Sequence, residues 1–317
     1  MQAVVLAAGK GRRLAPLTLS RSKAMAPVVG KPLVARVLAT LTANGIADVV
    51  MVVGPEDVEL RRRLGDGQAF GVRLRYVEQT QRLGMAHALG LAAPLLDGAF
   101  VLSACDNLVP AAHVGELLAA HRARGAAATL SLMPVALDQV SRTGVVVWEA
   151  PWVRRIVEKP RLQEAPSTIS SLPLYVLGPE LVALLPRVQP SPRGEYELQE
   201  ALQMLMDGGA AVTGVFTDSR RQVTTAADLL ELNLQLLDEE KPWGGASGED
   251  VTTAPPVLIE EGAVIGPGCR IGPRVYVESG AVIGSDAVIA DSVILRGAVV
   301  APGSVVRSQL VADVIAV

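Results

Sequence analysis

Leu6-Ala7-Ala8-Gly9-Lys10-Gly11-Arg12-Arg13-Leu14-Ala15-Pro16-Leu17-Thr18 decides how this chain begins to fold. Ala3 to Ala8 has the composition of a buried strand, and it opens into a loop with two glycines and three cations, Lys10, Arg12 and Arg13. Glycine lets a backbone approach a phosphate closely, and amides together with cations hold several negative charges. A nucleoside triphosphate or a sugar phosphate would satisfy that design. Spacing excludes two other phosphate loops. A Walker A loop would need glycine at Val4 and Ser or Thr at Gly11, and a dinucleotide fingerprint starting at Gly9 would need its third glycine at Leu14. Alone, the segment reads equally well as a strand-to-helix turn with solvated arginines.

Outward from this loop, short β-rich runs alternate with helical stretches. Ala3–Ala8, Asp48–Val53, Leu74–Val77, Phe100–Ala104 and Thr129–Met133 are the runs; Leu33–Asn44, closed by Gly45, and Ala111–Arg124, closed by Gly125, are helical. The alternation predicts an α/β domain over 1–237 with a Rossmann-like, mostly parallel sheet and helices on both faces. Ligands of such sheets bind at the carboxyl ends of the strands, where both the glycine loop and Asp106 are expected.

Asp238 to Pro256 reads as a linker, with Pro242, Gly244-Gly245, Ser247-Gly248 and Pro255-Pro256 and no apolar period. Over 257–317 the period becomes six. Val257, Ala263, Cys269, Val275, Ala281, Ala287, Val293, Val299, Val305 and Val311 form one register, and Ile259, Ile265, Ile271, Val277, Ile283, Ile289 and Leu295 a second. Hexapeptide repeats specify a parallel β-helix with stacked inward aliphatics. This one resembles the short left-handed β-helix, with room for about three coils at three hexads per turn.

Composition narrows the function. The 317 residues carry a formal net charge of −3, so a nucleic-acid footprint is not expected, and 3% aromatics leave few stacking platforms. No apolar run approaches the roughly 18 residues of a membrane span. The N-terminus enters a strand directly, so no signal peptide is expected. Cys105 and Cys269 fall in different predicted domains, which fits unbridged thiols in a reducing cytoplasm.

Further motifs follow in order: Ser22-Lys23-Ala24-Met25-Ala26-Pro27-Val28-Val29-Gly30-Lys31-Pro32-Leu33, Gln79 with Gly84, Cys105-Asp106-Asn107, Glu158-Lys159-Pro160, and Arg193-Gly194-Glu195-Tyr196-Glu197-Leu198. With the opening loop they resemble the sugar-1-phosphate nucleotidylyltransferases, or NDP-sugar pyrophosphorylases, over residues 1 to 237 or so. The resemblance implies an enzyme acting on a nucleoside triphosphate, UTP or dTTP foremost, and a hexose 1-phosphate, glucose 1-phosphate foremost. It places Ala8, Gly9, Gly11 and Arg12 on the nucleotide, and Arg13 and Lys23 on the phosphates as catalytic cations. Gln79 and Gly84 would contact the base; glutamine suits the donor–acceptor edge of uracil or thymine and can also serve adenine. Asp106 would be catalytic and hold Mg²⁺, since Mg²⁺ takes one or two carboxylates and completes its shell with phosphates and water. As a strand-end Asp it could instead cap the next helix. Gly144, Glu158 and Lys159 would hold the sugar phosphate.

The three histidines, His87, His113 and His121, read as structural or surface residues, and none follows the linker, which argues against an acyltransferase in the β-helix. The β-helix is expected to mediate homo-oligomer assembly or allosteric contact.

Several positions depart from the family pattern. Arg12 replaces a threonine, Ser22 a proline, Gln199-Glu200 a Thr-Asp pair, and Ser171-Leu172-Pro173-Leu174-Tyr175 an Asn-x-Gly-x-Tyr segment. Aligning on Thr225 and Asp228-Leu229 puts Gln222 at the second metal ligand, a carboxylate in the family, with Asp218 nearby in sequence. Gln222, Pro173 and Ser171 motivate an alternative: a catalytically weak or inactive relative that binds NDP-sugar as a regulatory or assembly subunit.

Overall fold

The computed structural model describes residues 1–244 and 250–313. It divides into two compact units, Met1–Gly9 with Val34–Arg221, and Lys10–Leu33 with the chain from Gln222 onward.

Unit one is built on a nine-stranded sheet. Its strands are β1 (Gln2–Leu6), β2 (Asp48–Val53), β3 (Arg73–Glu78), β4 (Phe100–Ala104), β5 (Ala128–Pro134), β6 (Gly144–Glu149), β7 (Trp152–Glu158), β8 (Ile169–Leu177) and β9 (Val212–Phe216). Their order is β3-β2-β1-β4-β8-β5-β9-β7-β6. All but β7 and β8 point the same way. The sheet is therefore mostly parallel, as the alternation predicts. Ala3-Val4-Val5 and Val49 to Val53 are buried continuously, the pattern of parallel strands covered on both faces. The helices are α1 (Leu33–Thr42), α2 (Val58–Leu64), α3 (Met85–Ala92), α4 (Ala111–Arg124), α5 (Pro179–Leu184) and α6 (Leu198–Asp207). Leu89, Phe100, Leu102, Leu130, Tyr175 and Leu202 are fully buried members of the core.

Parallel pairing fixes where the loops emerge. Beyond the strand ends, Ala7 N–H bonds Val52 O at 2.8 Å, Gln79 N–H bonds Val53 O at 2.8 Å and Cys105 N–H bonds Leu6 O at 3.1 Å. The chain therefore leaves β1, β3 and β4 on one carboxyl edge, carrying Ala8-Gly9, Gln79 and Asp106.

In unit two, three parallel sheets stack coil upon coil, consistent with a β-helix. Trp243–Gly244, Val257–Ile259, Val275–Val277, Ser292–Ile294 and Leu310–Val311 form one; Thr252–Thr253, Arg270–Ile271, Val288–Ala290 and Val305–Arg307 the second; Val264–Ile265, Val282–Ile283 and Val299–Val300 the third. Helix α7 (Ala226–Glu240) lies against the first sheet, so Val275, Tyr276 and Val277 are all buried. Pairing starts inside the stretch read as a linker, at Trp243 and Thr252; Gly245, Ser247 and Gly248 lie outside the described residues.

The hexad register holds only to Ile289. Val257 pairs with Val275 and Val264 with Val282, but Val275 then pairs with Ser292 and Val282 with Val299. The corner that Gly272, Pro273 and Arg274 turn in one coil is turned by Ala290 and Asp291 in the next, one residue shorter, with the corners joined by an Arg274–Asp291 bond of 2.7 Å. Ala298, Val300 and Val306 consequently point inward, while Val299 and Val305 are exposed. Val293 and Leu295 stay buried, but Ser292 and Ile294 have taken their ladder positions. No helix among the described residues is long and apolar enough to cross a membrane.

Candidate active site

In unit one, Gly9 has nothing within 4 Å of where a side chain would start, so no crowding within the protein explains why a glycine stands there. The carbonyl of the preceding Ala8 accepts a hydrogen bond from Arg82 Nε, and Arg82 also pairs with Glu56. Gln79 is 5% exposed. Its Nε2 donates to Gly84 O at 3.2 Å and lies 3.0 Å from His87 Nδ1. With the lone pair of neutral His87 on Nδ1, both amide hydrogens are engaged and Oε1 is the atom left to meet a ligand. Gly84, at φ 103°, is demanded by the fold: a Cβ there would lie 2.6 Å from Tyr196 O. That close approach lets Tyr196 bond Leu83 O at 2.7 Å and Ala86 N–H at 3.0 Å, stapling the glutamine loop to the segment before α6.

Asp106 follows β4 and is 6% exposed. Its neighbour Asn107 accepts from Arg220 Nε at 2.7 Å, and the Arg220 guanidinium stands within electrostatic reach of Asp106 and Tyr175. Burial pulls the Arg220 pKa below its ordinary value and Asp106 pushes it back up, so the cation persists. Asn107 Nδ2 is buried without a hydrogen-bond partner among the described residues. Asp218 is exposed on the loop after β9.

The sheet brings the three sugar-phosphate candidates together. Glu158 faces Gly144 across β7–β6, and Ser171 faces it across β8–β6. A Cβ on Gly144 would sit 3.0 Å from Glu158 Oε2 and 3.3 Å from Gln199 Nε2, so glycine is the residue that fits. Lys159 lies 3.2 Å from Glu158 Oε1 through Nζ, with its backbone at φ 45°. Burial pushes the Glu158 carboxyl above the usual carboxylate range, and the Lys159 ammonium pulls it partly back. Glu158 Oε2 and Gln199 Oε1 are buried acceptors without partners among the described residues. Pro173 falls inside a β-bulge between Leu172 and Tyr175, so its missing N–H interrupts no ladder pair with β5. Ser171 Oγ donates to the buried Tyr175 hydroxyl at 3.3 Å.

Unit two carries the remaining cations. Gly11 is left-handed at φ 59°, and a Cβ there would come within 3.0 Å of Lys23 Cβ and 3.1 Å of Thr18 Cγ2. Its carbonyl accepts from Leu14 N–H at 2.8 Å and Thr18 Oγ1 at 3.0 Å. Arg12 and Arg13 stand exposed on the turn Arg12–Leu14, anchored by the buried Leu14, and Lys23 opens a second turn, Lys23–Met25. Gln222 is exposed. Among the described residues no group of three His, Cys, Asp or Glu could hold a metal ion.

A nucleotidyl transferase family model matches residues 2–239, and a GMPPB C-terminal domain model matches residues 253–317. The chain belongs to the nucleotidyl transferase family. A glucose-1-phosphate thymidylyltransferase of Streptomyces antibioticus is 33% identical over 270 residues, 83% of this chain and 74% of that protein. The UTP–glucose-1-phosphate uridylyltransferase AglF of Haloferax volcanii is 36% identical over 222 residues, 70% of this chain and 90% of that protein. A structure of UDP-glucose pyrophosphorylase complexed with UDP-glucose superimposes with a TM-score of 0.66 at 22% identity, covering 75% of this chain and 98% of that one, which bears on the fold alone.

Within this nucleotidyl transferase, sequence reading passed over Arg82 and Arg220. Arg82 had one available signal, a cation inside the Gln79–Gly84 loop. Arg220 had none, because only the folded sheet brings β9's exit beside Asp106. Gln199, a departure from the family pattern in sequence, is a neighbour of Gly144 in the fold. Of the histidines, His113 and His121 are buried against Ser131 and Thr129, at 2.7 and 3.1 Å, and burial lowers both pKa values. His87 instead braces Gln79.

Proposed function

We propose that this chain transfers a nucleotidyl group from a nucleoside triphosphate, UTP or dTTP, to a hexose 1-phosphate, glucose 1-phosphate foremost, releasing pyrophosphate and an NDP-sugar. The observation that carries this reading is the shared carboxyl edge from which Ala8-Gly9, Gln79 and Asp106 emerge, in a chain whose relatives bear these activities. A sugar-phosphate oxygen attacks the α-phosphorus, one P–O bond forms, and the bond to the departing pyrophosphate breaks. Such a transfer depends on positioning and charge neutralisation.

In this reading Ala8, Gly9, Gly11 and Arg12 cradle the triphosphate, and Arg13 and Lys23 stabilise charge on the leaving pyrophosphate. Gln79 presents Oε1 to an N–H donor such as the imide of uracil or thymine, its own hydrogens being committed. Gly84 holds that loop against Tyr196. Gly144 gives the sugar a bare backbone, with Glu158 toward its hydroxyls and Lys159 toward its phosphate.

The family generally uses a divalent metal. We take Mg²⁺ as the ion, held by the Asp106 carboxylate with the neutral carbonyl of Gln222 as second ligand. When bound, the ion supplies charge neutralisation on the phosphates. A single carboxylate beside Arg220 fits an ion that arrives with the triphosphate better than one bound in advance.

The division into a nucleotidylyltransferase segment (1–237), a connecting stretch (238–256) and a repeat segment (257–317) belongs to this reading, as does left-handed coiling of the repeat. Cys105 and Cys269 are both buried and neither is in a disulfide, which supports a reducing cytoplasm. Val264, Val282 and Val299 stack in one ladder and are 58, 39 and 71% exposed, which supports homo-oligomer assembly on this face of the repeat. Val282→Glu is expected to lower the solution mass in light scattering, and an unchanged mass removes the assembly role.

Pyrophosphate release with Mg²⁺, glucose 1-phosphate and each of UTP, dTTP, ATP, CTP and GTP tests the main reading. Release that requires both sugar phosphate and metal is expected. Saturable NDP-sugar binding without turnover for any pair would instead establish a regulatory relative.

A further inference from the structure

Lys10–Leu33 is short of structure of its own: two single-turn helices, the four-residue helix Leu17–Ser20 and a two-strand hairpin, Pro27–Val28 with Lys31–Pro32. Its fixed points come from the C-terminal part of the same unit. Arg21, two residues before Lys23, is 9% exposed and donates through a guanidinium N–H to Glu278 Oε1 at 2.6 Å. The Glu278 carboxylate cannot swing, because its Oε2 accepts Arg296 N–H, one coil on, at 2.8 Å. One coil earlier, Glu260 takes the Tyr276 hydroxyl at 2.6 Å and Ser279 N–H at 3.0 Å. Farther along, Asn233 of α7, fully buried, accepts Val29 N–H at 2.8 Å and donates to Pro27 O at 3.1 Å. Gly30 closes on Leu258, whose Cδ2 lies 3.1 Å from the place a Cβ would take.

We infer that Arg21 and Glu278 are positioning residues: the β-helix, through this buried ion pair, sets the place of Lys23 and of the turn that Gly11 packs against it. The inference rests on the phosphate role proposed for Lys23. A buried ion pair is a poor device for stability, since its desolvation offsets much of its attraction, but it admits few alternative geometries. Arg21 Nε remains buried without a partner among the described residues, so a single strong bond, not a saturated guanidinium, fixes the chain here. The β-helix then acts as foundation for phosphate-facing residues that lie more than two hundred positions earlier in sequence.

The test uses the full chain with Arg21→Met, Glu278→Gln, the double variant and Arg21→Lys. Displacement of a reacting group by about 1 Å costs on the order of 10²-fold. Both single variants are expected to lower kcat by about 10- to 100-fold with KM for glucose 1-phosphate within about twofold of wild type. The double variant should be no worse than either single, the mark of one shared interaction. Arg21→Lys, which keeps the charge, should recover most of kcat. Single variants with wild-type kcat, or a double variant with multiplied losses, would overturn the inference. Hydrogen exchange of the unliganded protein decides it independently of turnover. Protection should fall over 10–33 in Glu278→Gln and stay unchanged over the strands of unit one; unchanged protection over 10–33 overturns the inference. If wild type turns over no pair, the catalytic reading fails while the exchange result still stands.

Discussion

Asp106→Ala is expected to remove metal-dependent pyrophosphate release, lowering kcat by on the order of 10³-fold, about 4 kcal/mol of barrier. The side chain is 6% exposed at the carboxyl end of β4, beside β1, whose exit carries Gly9. Only small positional freedom is available there, so the carboxylate cannot be replaced by a neighbour's. Asp218 is exposed, and no group of three acidic, His or Cys side chains exists among the described residues to take the ion instead. Arg220 complicates the experiment in an instructive way. With Asp106 gone, a partly buried guanidinium loses its counter-charge and keeps its hydrogen bond to Asn107, so Tm should fall too. Asp106→Asn separates the effects: it preserves shape and some hydrogen bonding while removing charge, and should lose nearly as much kcat at a smaller cost in Tm. Mn²⁺ titration in the presence of UTP supplies the second readout, with weaker binding expected in both variants. Near-normal turnover in Asp106→Ala would remove Asp106 from the mechanism and leave it a structural residue of the strand end.

How much of this was legible in the sequence depended on how local each cause was. β1, β2 and β4 are continuous apolar runs because both their faces are covered, so composition alone placed them. The positions of Gly9 and Asp106 at the exits of β1 and β4 followed from the same logic, since a strand's carboxyl end is a property of its own sequence. The repeat was legible for the same reason, yet it misled after Ile289. Val293, Val299 and Val305 preserve a period of six on paper, while the chain saves one residue at Ala290-Asp291 and turns Val299 and Val305 outward. Valines that lie one position out of register are compositionally indistinguishable from valines in register. What stayed illegible was held by partners remote in sequence: Arg220 beside Asp106, Gln199 over Gly144, and Arg21 against Glu278. Each is a polar contact made by tertiary structure, with no periodic signal to announce it.

The second large effect is expected at Lys23. Lys23→Ala should lower kcat/KM for the nucleoside triphosphate by about 10²- to 10³-fold, because one cation facing a triphosphate makes charge-assisted bonds that a neutral side chain cannot replace. Arginine should not restore it. Lys23 Cβ packs so closely on the left-handed Gly11 that an added Cβ there would lie 3.0 Å from it, so a planar fork on a stem of different length would meet the same phosphate at a different place. Gly11→Ala provides the geometric counterpart. It leaves the Lys23 charge untouched but forces a Cβ against Lys23 Cβ and Thr18 Cγ2 at φ 59°, a conformation that costs about 1 kcal/mol before any contact is counted. Its loss of kcat/KM should therefore resemble that of Lys23→Ala in direction and fall short of it in size, with KM for the sugar phosphate unchanged in both. Equal losses with both substrates would show that the segment had merely lost its fold. A Lys23→Ala enzyme that kept wild-type kcat/KM would place the phosphate-binding cations elsewhere, among the exposed Lys10, Arg12 and Arg13 of the opening loop.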